Sequence, residues 1–339
     1  MSLPSVGRTV QLVQRSEAVP GPADLTVAET PVERPAAGQV LVRNRHFLVF
    51  AGLMTLIKGE VEDAPLPPLK PGDALFGPAV GEVVATGPGV SGVATGDLVS
   101  HLVGWREYAV VDADAVRLVP DGHPDPVAFL STASAAYGSL TRLARLRKGE
   151  TVLVTGAAGG VGSLAGQVAR LLGAGRVVGT TRTPAKAERL RAELGYDAVV
   201  VPGADLGRQL AEAAPEGYDV VIDNVGGAQL SAALVQARQG ARVVVVGALS
   251  GQSDPAVEPG TSPATIDTFA LISRSVSLLG YQTFDHPGVE EEWQERFADW
   301  LRTGEIAYPR VVISGIDRAP GALQELYGGH HFGTLIVEV

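Results

Sequence analysis

The spacing of apolar positions changes along the chain. Through about residue 120, short apolar runs are interrupted by turn-forming residues, as at Pro71-Gly72-Asp73 and Gly87-Pro88-Gly89. Such interruption is typical of short strands joined by tight turns, and it predicts strands at residues 40–42, 81–86 and 108–111. The first 120 residues are therefore predicted to form a compact, β-barrel-like body.

From about residue 125, strands alternate with helices. Strands rich in Val and Ile are predicted at residues 151–155, 176–181, 218–223, 242–247 and 277–281, with helices at 161–173, 184–195 and 289–304. Continuous apolar strands between helices predict a parallel sheet covered on both faces. The tail returns to strand character, so the predicted organisation is a first domain of residues 1–120 completed by 308–339, and an α/β domain of residues 121–307.

Composition excludes several classes of protein. The 339 residues carry a net charge of -10 without a basic block, which disfavours binding to nucleic acid or to anionic membranes. The absence of cysteine excludes disulfides and thiolate metal sites. The strongest apolar run, residues 243–249, is far shorter than the ~20 residues that span a bilayer. With no apolar leader evident, we expect a soluble, cytoplasmic protein that acts on a small molecule.

A glycine-rich turn is the sharpest local signal. The strand at 151–155 is followed by Gly156, Gly159 and Gly162 and then by a helix. Glycines let the backbone approach a pyrophosphate, and a helix N-terminus offers free N–H groups to it. The turn, which also contains Ala158, Gly160 and Val161, therefore predicts a dinucleotide site. A tight strand–helix turn without ligand, or a different nucleotide-like ligand, remains an alternative.

The end of the next strand indicates which dinucleotide is bound. NAD-binding domains usually place an acidic residue there to hold the ribose hydroxyls, whereas this chain has Thr181 and Arg182, with Lys186 one helical turn later. Two cations suit a 2′-phosphate, so NADPH is the predicted cofactor. Arg182 also argues against a methyltransferase. The alternative is that both cations are ordinary surface charges.

With these residues considered together, the chain resembles the medium-chain dehydrogenase/reductase superfamily. The nearest branch is the zinc-free one of alkenal double-bond reductases and prostaglandin and leukotriene B4 reductases. The similarity lies in the order and spacing of segments that start at residues 104 (GWREYAVV), 156 (GAAGGVG), 223 (DNVGG), 247 (GALS), 280 (GYQTFD) and 331 (HFGTL). The resemblance implies a Rossmann doubly wound sheet, a GroES-like β-barrel substrate domain and a homodimer.

The resemblance also implies roles for individual residues. Asn224 would lie near the cofactor ribose, although the segment at 223–226 could simply be a strand end and turn. The nicotinamide would be lined by Val246, Gly247, Ala248 and Leu249, and the backbone around Tyr281 and Thr283 would meet its carboxamide. His331 stands where the branch has an Asn before Phe-Gly, and it is included among the expected cofactor contacts.

A catalytic zinc is not expected. The zinc-dependent branch uses a Cys-His-Cys or Cys-His-Glu set and often a four-cysteine structural site, which a cysteine-free chain cannot supply. The six histidines do not cluster with the spacing of metal ligands. We therefore expect no metal.

The resemblance fails at positions that face the substrate. Residues 50–54 read FAGLM where the branch usually has DPYMR, and Gln252 falls near the position of a Tyr linked to polarising the substrate carbonyl, while Tyr137 is kept. Negative charge that builds on the acceptor oxygen needs hydrogen-bond donors. Tyr137 and Gln252 are the predicted catalytic residues, and Tyr281 and His101 are weaker candidates. The proton could come from Tyr137, from water or from the substrate itself.

The leading functional hypothesis is an NADPH-dependent reductase that adds hydride to the activated C=C bond of an enone, enal or conjugated polyene. The altered substrate residues suggest a specialised form, in which hydride addition in a natural-product pathway creates an enolate that closes a ring. An NADPH:quinone oxidoreductase and a catalytically silent NADPH-binding protein are the alternatives.

Overall fold

The computed structural model describes residues 3–16, 19–59, 67–254, 256–258 and 260–339. The strands, numbered in chain order, are β1 (Val6–Leu12), β2 (Leu25–Pro31), β3 (Gln39–Val49), β4 (Ala79–Thr86), β5 (Leu98–His101), β6 (Tyr108–Asp112), β7 (Arg117–Leu118), β8 (Thr151–Val154), β9 (Arg176–Thr180), β10 (Ala198–Val200), β11 (Tyr218–Asp223), β12 (Ala237–Val245), β13 (Ser277–Gly280), β14 (Arg310–Ser314) and β15 (Thr334–Glu338).

The α-helices are α1 (Leu53–Lys58), α2 (Ser134–Gly138), α3 (Gly162–Leu171), α4 (Pro184–Leu194), α5 (Leu206–Ala213), α6 (Gly227–Val235), α7 (Leu249–Ser253), α8 (Thr268–Arg274), α9 (Val289–Thr303) and α10 (Ala319–Gly328). Short 3-10 turns occupy Pro126–Leu130, Thr283–Asp285 and Ile316–Arg318, and one π-helical turn occupies Ser139–Leu143. Within the described residues, no helix is long and apolar enough to cross a membrane.

The chain divides into two compact units, one of residues 1–130 with 310–339 and one of residues 131–309. Residues 121–130, predicted to open the second domain, lie with the first unit, and so do residues 310–339. In that unit, β1 and β2 pair antiparallel, and the main sheet runs in the order β14-β15-β3-β4-β5-β7 with β6 on β3. Among the described strands this path is open, so strand hydrogen bonds do not close the predicted barrel.

Apolar residues that alternate along the strands form the core of the first unit. One cluster is built on Val40, Val42 and Val83, and a second contains Leu48 and Ile336. Alternation with period two places such residues on one face of a sheet, and this periodicity is the reason that the strands could be predicted. Strands β3, β4 and β6 confirm the strands predicted at 40–42, 81–86 and 108–111.

The second unit is a parallel sheet in the order β10-β9-β8-β11-β12-β13, with helices between the strands. Counted from its first strand, this is the 3-2-1-4-5-6 order of a doubly wound Rossmann sheet, and it confirms the predicted fold class. Strand order reverses between β8 and β11, and ligands bind such sheets outside the carboxyl ends of the strands at that point. Gly195 caps α4 in the left-handed conformation (φ 69°), as predicted.

Candidate functional site

The glycine turn between β8 and α3 lies at the carboxyl end of the sheet. Gly156 has a φ of 61°, which favours glycine, and its N–H donates to Thr180 Oγ1 at 3.1 Å. A Cβ on Gly162 would lie 2.4 Å from the Gly156 carbonyl oxygen and 2.6 Å from Ala157 Cα. The chain's own packing therefore requires glycine at both positions.

Gly159 differs from its neighbours in the turn. It is exposed, and a Cβ there would have only the Gly156 carbonyl oxygen within 4 Å, at 3.5 Å. The fold does not need glycine here, but a ligand that approaches the backbone would. Helix α3 starts beside it, with the N–H of Ser163 bonded to the Gly159 carbonyl oxygen at 2.9 Å, and the positive end of a helix dipole attracts anions. With Ala158, Gly160 and Val161, this cradle fits a pyrophosphate.

The predicted cation pair follows β9. The N–H of Thr181 donates to the carbonyl oxygen of Val200 at 3.0 Å, and Arg182 comes next in an exposed position. Burial, and then the positive charges of Arg182 and Arg189, lower the pKa of the Lys186 ammonium. Arg182 and Lys186 therefore repel each other electrostatically.

The location of these cations adds to their electrostatic cost. Helix α4 begins at Pro184, where Thr183 Oγ1 accepts a hydrogen bond from the backbone N–H of Lys186 at 3.4 Å. The positive end of a helix dipole disfavours cations in its first turn. An anionic group bound here would relieve both repulsions, and a 2′-phosphate is such a group.

A pocket of about 550 Å³ lies beside the ends of β10 and β11. Gln229 in its wall accepts a hydrogen bond from Thr180 Oγ1 at 2.6 Å, so the pocket adjoins the glycine turn that Thr180 also contacts. Its volume suits a purine nucleoside. The lining residues are Pro202, Gly203, Ala204, Leu206, Gly207, Val225, Gly226, Ala228, Gln229 and Ser250.

Sequence reasoning missed this pocket. Its wall comes from three separate stretches, at residues 202–207, 225–229 and 250, and β10 before it has only three residues, too few for a clear apolar pattern. The turn-forming pair Pro202-Gly203 was the local signal available.

The ends of β11 and β12 are joined by buried polar contacts. The fully buried Asp223 carboxylate accepts from Thr155 Oγ1 at 2.6 Å and from the N–H of Gly226 at 2.8 Å, and burial raises its pKa. Asn224 Nδ2 donates to the Thr155 carbonyl oxygen at 2.8 Å. A Cβ on Gly247 would lie 2.7 Å from the Asn224 carbonyl oxygen. The structure thus brings Asn224 and Gly247 into backbone contact.

The segment after β12 bends around Asn224. The N–H groups of Val246 and Gly247 both donate to the Asp223 carbonyl oxygen, at 2.7 and 3.1 Å. Ala248 then precedes α7, which begins at Leu249 and carries the half-buried Gln252. The residues predicted to line the nicotinamide are therefore continuous with the predicted donor Gln252.

Tyr281 and Thr283 extend the sheet beyond β13. The N–H of Tyr281 donates to the Val245 carbonyl oxygen at 2.9 Å, and its ring stacks on His286 with centroids 4.8 Å apart. Thr283 begins a short 3-10 turn. The structure places this backbone next to the strand that leads into residues 246–249.

Tyr137, the other predicted catalytic residue, is buried on α2. Its hydroxyl donates to Glu292 Oε2 of α9 at 3.3 Å, and its ring packs near Trp293 with centroids 6.1 Å apart. Burial raises the pKa of this phenol, and so does the negative charge of Glu292. The phenol is thus a weaker acid than usual and already has an acceptor. Proton donation by Tyr137 stays a prediction, and the geometry favours a tethering role.

Two histidines named from the sequence lie in the other unit. Burial, with a further contribution from the charge of Arg106, lowers the pKa of His101 to about 4. Its Nε2 lies 2.9 Å from Asn44 Oδ1, and the N–H of Val103 donates to its Nδ1 at 3.0 Å. His101 is therefore a neutral structural residue. His331 Nε2 lies 2.7 Å from Glu325 Oε2, and its predicted cofactor contact stays a prediction.

No group of three or more histidine, aspartate and glutamate side chains that could hold a metal occurs within the described parts of the chain.

Comparison with known proteins identifies the family. The profile described as "Zinc-binding dehydrogenase" matches residues 160–303, and that described as "N-terminal domain of oxidoreductase" matches residues 8–119. Rat prostaglandin reductase 1 is 32% identical over 282 residues, covering 80% of this chain and 83% of that one. A protein of Leishmania amazonensis named "Probable quinone oxidoreductase" is 30% identical over the full length of both chains.

A solved structure extends the similarity to the fold. CurA from Vibrio vulnificus, crystallised with NADPH, superposes with a TM-score of 0.87 at 25% identity, over 98% of this chain and 99% of that one. The chain belongs to the medium-chain dehydrogenase/reductase superfamily, in its zinc-independent branch of NADPH-dependent alkenal and prostaglandin reductases. The family predicted from the sequence is therefore confirmed, and with it the class of NADPH-dependent oxidoreductases.

Proposed function

We propose that this chain is an NADPH-dependent reductase that delivers hydride to the activated C=C bond of an enone, enal or conjugated polyene. The observation that carries the proposal is the position of Arg182 directly after β9 and of Lys186 in the first turn of α4. Two cations that raise each other's energy beside a helix N-terminus suit a doubly charged phosphate ester. The relatives named for alkenal and prostaglandin reduction support the choice of acceptor.

Different groups at the carboxyl edge of the second unit's sheet suit different parts of NADPH. The turn at Gly156, Gly159 and Gly162 would hold the pyrophosphate, Arg182 and Lys186 the 2′-phosphate, and the pocket beside Gln229 the adenine. Asn224, residues 246–249 and the backbone of Tyr281 and Thr283 would hold the ribose and nicotinamide. When bound, NADPH supplies the hydride.

The chain's own catalytic contribution is directed at the acceptor oxygen. Hydride addition to an enone or enal leaves negative charge on that oxygen, and donors aimed at it lower the barrier. We assign this role to the side-chain amide of Gln252, on the helix that follows the nicotinamide segment. An amide is not a general acid at neutral pH, so the proton that completes the reduction comes from water or from the substrate.

The specialised form of the proposal is a natural-product reductase in which the enolate attacks a second electrophilic carbon and closes a ring. It is supported by the departures from the branch at residues 50–54 and 249–253. Broad turnover of simple acceptors would contradict this form without affecting the general proposal.

A quinone oxidoreductase is the second candidate, because the full-length relative from Leishmania amazonensis is named for that activity. A quinone needs no carbonyl-polarising Tyr, which agrees with Gln252 at that position. Hydroquinone or semiquinone formation distinguishes this candidate.

One experiment tests these functions together. Purified protein is mixed with NADPH and a panel of enals, enones, conjugated polyenes and quinones, and NADPH oxidation is followed at 340 nm. Consumption with alkene acceptors and saturated products supports the proposal, and turnover of quinones alone supports the second candidate. Bound NADPH that no acceptor oxidises would indicate a catalytically silent protein, and failure to bind NADPH would overturn the proposal.

We also propose that the chain forms a homodimer through the β13 edge of the parallel sheet. Among the described strands, β13 pairs only with β12, which leaves its outer edge open. Beside it in sequence, Phe269 and Ile272 of α8 are each 75% exposed, and Leu278 and Phe284 are also exposed. An open apolar edge favours pairing with another chain. Analytical ultracentrifugation should show a dimer that Ile272→Asp converts to monomer, and a monomeric wild type would contradict this.

A further inference from the structure

The ring of Tyr281 occupies a space that exists only because residue 138 is glycine. A Cβ on Gly138 would lie 2.2 Å from the Tyr281 hydroxyl oxygen, 2.7 Å from Cζ and 2.8 Å from Cε2. Gly138 itself has an ordinary helical φ of -62°, so its backbone conformation does not call for glycine. We call this space, formed at Gly138 by the absence of a side chain, the Gly138 notch.

The helical segment that bears the notch is also tied to α9. The hydroxyl of Tyr137 and a guanidinium nitrogen of Arg142 both donate to the carboxylate of Glu292 on α9. Thr141 Oγ1 donates to the Tyr137 carbonyl oxygen at 2.7 Å within the same segment. The change from α2 to a π-helical turn occurs directly after Gly138, and such turns are frequent at functional sites. The notch therefore lies on a helical segment that side-chain hydrogen bonds tie to α9.

The Tyr281 ring enters this notch without making a hydrogen bond there. Within the described part of the chain, its hydroxyl oxygen is buried and has no hydrogen-bond partner. A buried hydroxyl without a hydrogen-bond partner is unfavourable, so the Tyr281 side chain contributes to this contact through the fit of its ring and not through a hydrogen bond. On its other face the ring stacks on His286, 4.8 Å away between centroids. The ring therefore lies between the backbone of Gly138 and the ring of His286.

Tyr281 is also the first residue after β13. Its N–H is bound to the Val245 carbonyl oxygen at 2.9 Å, at the last residue of β12, and the 3-10 turn at Thr283 follows. A ring wedged in the notch therefore limits how the backbone of residues 281–283 can move relative to residues 246–249.

We propose that Gly138 and Tyr281 are positioning residues whose side-chain fit holds the 281–283 backbone where it orients the nicotinamide carboxamide for hydride transfer. The proposal rests on the proposed NADPH function, which gives that backbone its ligand. Neither side chain needs to touch the cofactor, because the effect is carried by the peptide groups between Tyr281 and Thr283.

The test is Gly138→Ala, measured by calorimetric titration with two probes. NADPH engages both halves of the proposed site, whereas 2′,5′-ADP lacks nicotinamide and engages only the half at Arg182, Lys186 and the glycine turn. We expect the dissociation constant for NADPH to rise about tenfold and that for 2′,5′-ADP to stay within twofold. Equal losses for both probes, or no loss for either, would overturn the proposal.

Two further variants separate fit from general damage. Gly321→Ala is the matched control, because Gly321 is also helical and a Cβ there would meet nothing within 4 Å. Tyr281→Phe added to Gly138→Ala removes the most severe overlap and should recover at least a third of the lost NADPH affinity on a logarithmic scale. If the double variant shows no recovery, the two residues do not act through their contact.

The outcomes also separate this proposal from the proposed function. If the wild-type protein binds neither probe, the assignment of NADPH fails and the notch has no role in binding it. If the wild type binds both probes and Gly138→Ala binds them as tightly, the NADPH function stands and only the positioning role is wrong.

Discussion

The two parts of the candidate site in the unit of residues 131–309 differ in what holds their key groups. In the cofactor-binding part, the glycine turn presents backbone N–H groups whose positions follow from φ at Gly156 and close packing at Gly162. In the acceptor part, the candidate groups are side chains. One of them, the Tyr137 hydroxyl, is hydrogen-bonded to Glu292, which is 155 residues away in sequence.

This difference explains why the cofactor was easier to predict than the catalytic group. A backbone cradle is encoded by a few consecutive residues, because only glycine permits the turn and only a helix start presents its N–H groups together. The direction of a side chain depends on whatever packs against it, and sequence spacing does not reveal that partner. Variants that leave one part intact while changing the other can test the contrast.

The largest effect is expected at Gly162. Alanine there would place Cβ 2.4 Å from the Gly156 carbonyl oxygen, so we expect Gly162→Ala to lower the free energy of unfolding by about 3 kcal/mol and to abolish NADPH binding. Thermal melting and calorimetric titration measure the two effects.

Gly159→Ala is the matched variant, since its Cβ would meet only one atom, at 3.5 Å. We expect its melting temperature to match the wild type while its NADPH affinity falls at least tenfold. If Gly159→Ala binds NADPH normally, the open face of the turn is not a ligand cradle.

Charge reversal at Arg182 should give the next largest effect. Arg182→Glu removes a charge-assisted contact to the 2′-phosphate, which is worth about 2–3 kcal/mol, so NADPH affinity should fall about 100-fold. Binding of NADH, which has no 2′-phosphate, should change by less than threefold. Arg191→Glu near the other end of α4 is the control, because its exposed side chain lies on the same helix outside the predicted site. Equal losses of NADH and NADPH affinity would count against the phosphate assignment.

Most of the α/β unit could be predicted from sequence, because its strands are continuous Val and Ile runs and α4 ends at a glycine cap. Strand β11 (Tyr218–Asp223) has the predicted bounds, and α9 (Val289–Thr303) is shorter by one residue. The three-residue β10 and the pocket beside it could not be predicted, since Gln229 and Ser250 come to line one pocket only through tertiary packing. A barrel was expected both from the short strands of the first 120 residues and from the resemblance, but local patterns do not determine how strands pair.

His101 lies in the other unit. The sequence made it a weaker candidate for a catalytic hydrogen-bond donor, and the fold buries it in the core. Its pKa of about 4 lies below the ordinary 6.5, so between these values the unfolded chain binds a proton that the folded chain does not. The free energy of unfolding should therefore fall as the pH is lowered from 6.5, by about 1.4 kcal/mol per pH unit and about 2 kcal/mol in all at pH 5.

The measurement is the melting temperature from pH 7 to pH 5 for the wild type and for His101→Gln. Glutamine cannot titrate, so the variant should start lower but fall less steeply over this interval. Parallel curves for the two proteins would show that His101 does not carry the pH dependence, and would reopen it as a proton donor.

The smallest effect is expected for Tyr137→Phe. The change removes one hydrogen bond to Glu292 and leaves the ring contact with Trp293, so the free energy of unfolding should fall by about 1 kcal/mol. Turnover of an enone should fall less than tenfold. The pKa of this phenol is raised and its hydroxyl already donates a hydrogen bond to a carboxylate, so it is a poor acid for the substrate.

Glu292→Gln provides the decisive comparison for Tyr137. If the phenol only ties α2 to α9, both variants weaken that tie, Glu292→Gln also at Arg142, and turnover should fall less than tenfold in each. If the phenol is the acid, Glu292→Gln removes the negative charge that raises its pKa and should preserve or increase turnover, while Tyr137→Phe should lower it by the 10²–10⁴-fold typical of a lost general acid. Opposite effects of the two variants on turnover would therefore show that Tyr137 is a catalytic residue. Similar effects would mean that Gln252 and water act on the acceptor without Tyr137.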